Sequence, residues 1–339
     1  EGPDWMDAPA RARMEGALSS LGWRRDTLSG WLSLLSRIGG PADPDFVDWL
    51  MIDRFEGREY DIGICRHWLD PTIPVTEVVT KPAHGVMITS ATLKGGGGWD
   101  TARARSGAVH LEHAPQEFEV ASPFDYPNQA KVIIVTDVKR GDMAGLAGAY
   151  AQLIEASAGG TLGLFTAIRR LRTVYARIAD RMAQSGLPIY AQHVDPIDTD
   201  IFRDDPKASL LGTDALRDGV DVPGQSLRLV VMESVPWPRP NILHRARKMA
   251  GGGNAYDDRI IRARLAQAFG RIIRRADDHG HFVILSSSFP TRLFSAFPEG
   301  TPIERMPLEQ ALAEIRQAKS KMEQSGLPTE TSLMHDNPQ

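Results

Sequence analysis

Cysteine is almost missing from this chain: Cys65 is the one thiol in 339 residues. That excludes an internal disulfide, and it excludes a cysteine-ligated zinc ribbon or iron–sulfur cluster built by this segment alone. It fits a reducing cytoplasm. No apolar run approaches the roughly 20 residues that a membrane helix needs, so no membrane partner is expected. Excess positive charge is lacking too, since 39 Lys and Arg face 43 Asp and Glu for a net charge of −4. This argues against bulk electrostatic binding to nucleic acid but leaves room for a local basic groove. The acidic start, Glu1-Gly2-Pro3-Asp4-Trp5, has no hydrophobic leader and no initiator Met. A cytoplasmic chain that is a fragment or a processed product is therefore expected. No G-x-S-x-G, H-E-x-x-H or G-x-G-x-x-G pattern occurs. His110 and His113 have no evident third ligand, and no metal site is expected.

What is present is an α/β pattern in the later two thirds. Apolar strand candidates fall at 131–136, 161–166, 188–192, 209–212, 227–233 and 281–286, and helical patterns at 142–157, 167–185, 256–275 and 307–324. Strands alternating with helices predict a mostly parallel sheet covered on both faces. Before it, residues 1–45 read as two helices with a break at Gly39-Gly40-Pro41. Residues 46–84 look extended and irregular, and 85–89 form a short buried-strand pattern.

The most informative stretch is Gln267-Ala268-Phe269-Gly270-Arg271-Ile272-Ile273-Arg274. If the helix runs through it, Gln267, Arg271 and Arg274 at i, i+4 and i+7 share one face. Two guanidinium forks beside Gly270, at the ligand edge of the sheet, would suit a polyphosphate. Arginines on a solvated helix face are the plainer alternative. Four further segments carry polar groups on stiff backbone. Ser90 and Thr92 follow the predicted strand at 85–89. Thr166, before Ala167-Ile168-Arg169, reads as a helix N-cap, either as a cap alone or with a phosphate at the free N–H groups behind it. Asp218, Gly219 and Asp221 precede the turn Pro223-Gly224, where the acids either orient a ligand or face solvent. In the proline-locked loop at 235–240, Trp237 could stack on a base or cover the core, and Arg239 could meet a phosphate.

In order and spacing these segments resemble the C-terminal part of the DinG/XPD-like superfamily 2 DNA helicases, closest to the bacterial DinG-type branch. Residues 86–93 look like motif III, Ser122-Pro123-Phe124 like the opening of the second motor domain, 164–172 like motif IV, 212–224 like motif V and 267–274 like motif VI. The chain departs from the branch just before Gly219-Val220-Asp221, where Ala215-Leu216-Arg217-Asp218 replaces an aromatic pair and a Glu. It departs again at Ser286-Ser287-Ser288.

The resemblance implies a second RecA-like helicase domain over 131–327, preceded by a helical and irregular segment. Residues 1–45 would be a remnant of an arch-like insertion, 46–95 the last part of a first motor domain, 96–130 a connector and 328–339 a frayed tail. It implies arginine fingers at Arg271 and Arg274 supported by Gln267, with coupling to ATP at Ser90, Thr92, Asp218, Gly219, Asp221 and Gly270. Single-stranded DNA would meet Thr166, Arg169, Trp237 and Arg239. No G-x-x-x-x-G-K-[S/T] or D-E-A-H-type motif occurs. ATP and Mg2+ would therefore bind with a motor domain lying N-terminal to this segment, and this chain alone is expected to bind neither and to hydrolyse nothing. The intact protein would be a 5′-to-3′ DNA helicase serving DNA repair. A non-enzymatic RecA-like module that binds nucleic acid or protein is the alternative. A dinucleotide oxidoreductase lacks its glycine fingerprint here.

Overall fold

The computed structural model describes residues 7–37, 40–95, 98–139, 141–196, 203–213 and 226–324. Its centre is a seven-stranded sheet whose strands are β3 (Ala130–Val135), β4 (Thr161–Leu164), β5 (Ile189–Ala191), β6 (Ser209–Gly212), β7 (Leu229–Met232), β8 (Gly280–Leu285) and β9 (Ile303–Met306). The spatial order is β5-β6-β4-β7-β8-β3-β9, and every pairing is parallel. This is the parallel sheet expected from the strand–helix alternation, in the RecA-like arrangement that the resemblance implied. Six of its seven strands lie where the apolar runs put them. The seventh, β9, carries Glu304 and Arg305 on an edge and shows no apolar run.

Alternation along the strands divides the core into two layers. Ile133 and Val135 point to one face, where α5 (Met143–Ser157), α6 (Ile168–Gln184) and α9 (Leu308–Gln324) cover them. Val132 and Ile134 point to the other, beneath α8 (Asn254–Phe269). Asp142 starts α5 by accepting from the backbone N–H groups of Ala144 and Gly145 at 3.0 and 2.9 Å. The α6 sequence places Leu171, Val174, Ile178 and Met182 in one buried stripe. Gly163 in β4 is required by contact: a Cβ there would lie 2.8 Å from the Tyr150 ring. That ring stacks on Phe165 at 4.8 Å and donates its hydroxyl to the Val231 carbonyl at 3.2 Å.

The N-terminal third differs from expectation in three places. One helix, α1 (Ala8–Arg37), replaces the two expected, because no proline falls between Pro9 and Pro41 to stop it. The segment read as extended and irregular is a long antiparallel hairpin, β1 (Phe46–Phe55) with β2 (Arg58–Trp68), turned at Glu56 and Gly57 with φ of 50° and 79°. It is followed by the short helices α2 (Thr72–Val75), α3 (Trp99–Ser106) and α4 (Tyr126–Gln129). The strand predicted at 85–89 is not formed: Val86, Met87 and Ile88 are exposed, with no strand paired to them. An apolar run needs a neighbouring strand to satisfy its backbone, and among the described residues none lies alongside.

Candidate functional site

Strand order decides where the sheet opens. From β4 the chain moves toward β5 at one edge, whereas from β7 it moves the opposite way, to the neighbouring β8. The loops leaving the carboxyl ends of these adjacent strands therefore part, and a crevice forms between them. It is a cavity of about 450 Å³ lined by Phe165, Thr166, Trp237, Arg239, His244 and Arg264, among others. The loop 233–241 owes its shape to Pro236, Pro238 and Pro240. Helix α7 (Ile242–Ala250) follows, capped by Asn241, whose side chain accepts from the His244 N–H at 2.7 Å.

Glu233 closes the floor. Its side chain is fully buried and follows directly on β7. It accepts from the Thr166 N–H at 3.1 Å, from the Thr166 hydroxyl, and from Arg170 Nε at 2.6 Å. The residue N-capping α6 is thus Ala167, with no side-chain bond. Thr166 does not cap the helix, because Glu233 holds its hydroxyl. Arg239 Nη2 donates to the Thr166 carbonyl at 3.2 Å and Arg264 Nη1 to the Pro236 carbonyl at 2.9 Å, so both walls are tied by guanidinium groups. His244 Nε2 and Lys248 Nζ meet Asp257 at 2.9 and 2.6 Å behind the wall. Trp237 is 46% exposed on this surface, so it does not serve to cover the core.

Thr166, Trp237 and Arg239 therefore come together, as the resemblance implied. Arg169 stands outside the crevice, exposed on the first turn of α6, and shares a surface with Arg172 and Arg177 further along the helix. Glu233 and Arg170 were not singled out from the sequence. The available signal was a carboxylate ending an otherwise apolar strand run, with an arginine four residues after Thr166.

Gln267, Gly270, Arg271 and Arg274 are arranged differently from the expected helical stripe. The helix ends at Phe269, and the Arg271 and Ile272 N–H groups turn back to Ala268 and Phe269 at 3.2 and 3.0 Å. Gln267 remains on the last helical turn, and the arginines lie in the connection to β8. The physical reason is double. Ile272 and Ile273 are both drawn into the core beneath α8 as the chain turns toward β8. Asp278 also accepts the Arg274 and Arg275 N–H groups at 2.8 Å each, withdrawing them from helical bonding. Gln129 braces the same turn, donating Nε2 to the carbonyls of Ala276 and Asp278 at 2.8 and 3.0 Å. Both arginines are half-buried. Desolvation lowers the pKa of Arg274, against the opposing pull of Asp278. This turn enters β8, so it sits at the amino edge of the sheet, opposite the crevice and not at the ligand edge as expected.

Ser90 and Thr92 occupy an exposed turn of their own, in which Ser90 Oγ accepts the Thr92 N–H at 3.1 Å. Arg105 holds that turn through the Thr92 and Leu93 carbonyls. Asp218, Gly219 and Asp221 lie outside the described residues. His110, one of the two histidines weighed as ligands, lies 3.2 Å from Asp70. Among the described residues no cluster of His, Cys, Asp and Glu has the makings of a metal site, and no helix is long and apolar enough to cross a membrane.

These features sit on a RecA-like α/β domain, and comparison with known proteins gives it relatives. Residues 150–302 match the helicase C-terminal domain family. The ATP-dependent helicase DinG of Mycobacterium tuberculosis is 30% identical over 276 residues, spanning 76% of this chain and 40% of that protein. The 3′-5′ exonuclease DinG of Bacillus subtilis is 26% identical over 284 residues, spanning 78% and 30%. A solved XPD helicase aligns with a TM-score of 0.41 at 16% identity, over 52% of this chain and 35% of that one. Over most of its length the chain is similar to the C-terminal region of DinG/XPD-like helicases. It spans well under half the length of these curated relatives.

Proposed function

We propose that this chain is the C-terminal motor part of an ATP-dependent 5′-to-3′ DNA helicase. The observation that carries the reading is the match of residues 150–302 to the helicase C-terminal domain. In this reading ATP and Mg2+ are held by another motor domain of the intact protein, and Arg271 and Arg274 approach the terminal phosphate from the amino edge, backed by Gln267 and Gly270. A half-desolvated, backbone-braced guanidinium is suited to charge that develops only in the transition state. Ser90, Thr92, Asp218, Gly219 and Asp221 would couple nucleotide state to movement. The crevice with Thr166, Trp237 and Arg239, flanked by Arg169, would receive single-stranded DNA. ATP-driven closing and opening of the two motor domains would then move the strand. Such a protein works in the cytoplasm on DNA repair substrates.

The test uses the intact protein. Arg271→Ala and Arg274→Ala should abolish ATP turnover while leaving nucleotide binding in place, and the isolated chain should hydrolyse nothing. Normal turnover in both variants would remove the arginine-finger assignment.

A second reading is a non-enzymatic RecA-like module that binds nucleic acid or protein, with the crevice as its binding surface.

A further inference from the structure

Helix α6 carries five arginines and one aspartate, and its arginines sort by what they touch. Arg170 is taken by Glu233 and Arg181 by Glu155, both in short ion pairs. Arg172 donates to the His193 carbonyl at 3.0 Å, which leaves its charge unneutralised. The side chains of Arg169 and Arg177 make no hydrogen bond or ion pair among the described residues. These three, Arg169, Arg172 and Arg177, are exposed and line one shallow surface with Thr173 and Ala176 between them. The stripe starts beside the crevice, because Ile168, its neighbour in sequence, is one of the crevice's lining residues. It ends near Asp180, which returns to the same side of the helix one turn on. From Arg169 to Arg177 the rise is about 12 Å.

A chain with net charge −4 does not attract polyanions as a whole. Three cations without carboxylate partners among the described residues, kept on one helix face that leads away from an exposed tryptophan, are a local exception. Guanidinium forks match phosphate oxygens, and an aromatic platform at one end suits stacked bases better than an acidic peptide.

We propose that Arg172 and Arg177 extend the crevice into a phosphate track, along which the backbone of a single strand leaves Trp237 and follows α6. The proposal rests on the crevice being a single-strand site. It adds a direction and two residues to it.

The experiment is fluorescence anisotropy on this chain with labelled oligo-dT of two lengths, one short enough to fill only the crevice and one long enough to reach beyond it. Arg172→Ala/Arg177→Ala should weaken the long oligonucleotide roughly tenfold at low salt. It should also lower the slope of log affinity against log salt by about 1.4, two phosphate contacts at about 0.7 each. The short oligonucleotide should bind as to wild type. Arg181→Ala, whose arginine is neutralised by Glu155, serves as the control and should change neither. Equal binding of both lengths by the double variant and wild type, with the slope unchanged, overturns the track while a loss in Trp237→Ala leaves the crevice standing. Absence of oligo-dT binding by the wild-type chain overturns both. Polyglutamate competing as well as unlabelled oligo-dT overturns the nucleic-acid assignment of the stripe. The substituted arginines are exposed, so matching thermal melts of the three variants are expected and identify the loss as one of contact.

Discussion

The two edges of one parallel sheet carry polar groups by different physical means. At the carboxyl edge, β4 and β7 send their chains in opposite directions, and the resulting crevice is held open by long-range bonds: Glu233 to Thr166 and Arg170, Arg239 to Thr166, Arg264 to Pro236. At the amino edge, the turn carrying Arg271 and Arg274 is held by Asp278, four residues or fewer away, and by Gln129 from the neighbouring strand entry. The first is a product of topology and the second mainly of local backbone chemistry. The comparison teaches that a ligand surface at the strand ends should be sensitive to buried ionic links, whereas the arginine turn should tolerate changes across the sheet.

The largest expected separation lies in catalysis. In the intact protein, Arg271→Ala or Arg274→Ala should lower ATP turnover by about 10³–10⁵-fold with oligo-dT affinity unchanged. A parallel loss of strand binding would show that the edges are not independent. Next in size is the buried ionic link. Glu233→Ala strips Arg170 and Thr166 of their common acceptor and should cost about 3–5 kcal/mol in urea unfolding, along with oligo-dT binding. An unchanged urea midpoint would show that the crevice walls are held otherwise.

The amino edge has its own pH signature. Burial lowers the His281 pKa to about 4, with Lys131 acting in the same direction and Glu314 against it. The folded state is therefore neutral at this ring down to about pH 4, while the unfolded chain takes up its proton near pH 6.5. Stability should be fully present above about pH 6.5 and fall as the pH drops toward 4, by at most about 3 kcal/mol. His281→Gln should flatten that part of the urea-midpoint profile, and an unchanged profile would assign the acid loss to other groups. The smallest effect is expected from Trp237→Ala, about 1–3 kcal/mol in oligo-dT affinity with stability preserved. Anisotropy at fixed salt reads the first and thermal melting the second.

Much of this was legible in the residues. Buried parallel strands are continuous apolar runs, so six of them, with α5, α6 and α9 between and after, follow from patterning. Pro236, Pro238 and Pro240 announce a stiff loop around Trp237. Other features were not legible because they depend on partners far away in sequence. Thr166 looks like a cap until Glu233, 67 residues later, takes its hydroxyl. The helix reading of 267–274 satisfied its periodicity, but Asp278 takes the Arg274 and Arg275 N–H groups that a longer helix would need. The apolar residues 86–88 fit a strand by composition and lack a neighbour to pair with.

Sequence alone determined the class of fold, six strands of the main sheet and the residue types available to bind an anion, because periodicity and turn chemistry are properties of neighbours along the chain. Tertiary structure decided which cations are left without carboxylates, which edge of the sheet each arginine reaches and where the crevice opens. Those outcomes depend on strand order and on bonds between residues tens of positions apart.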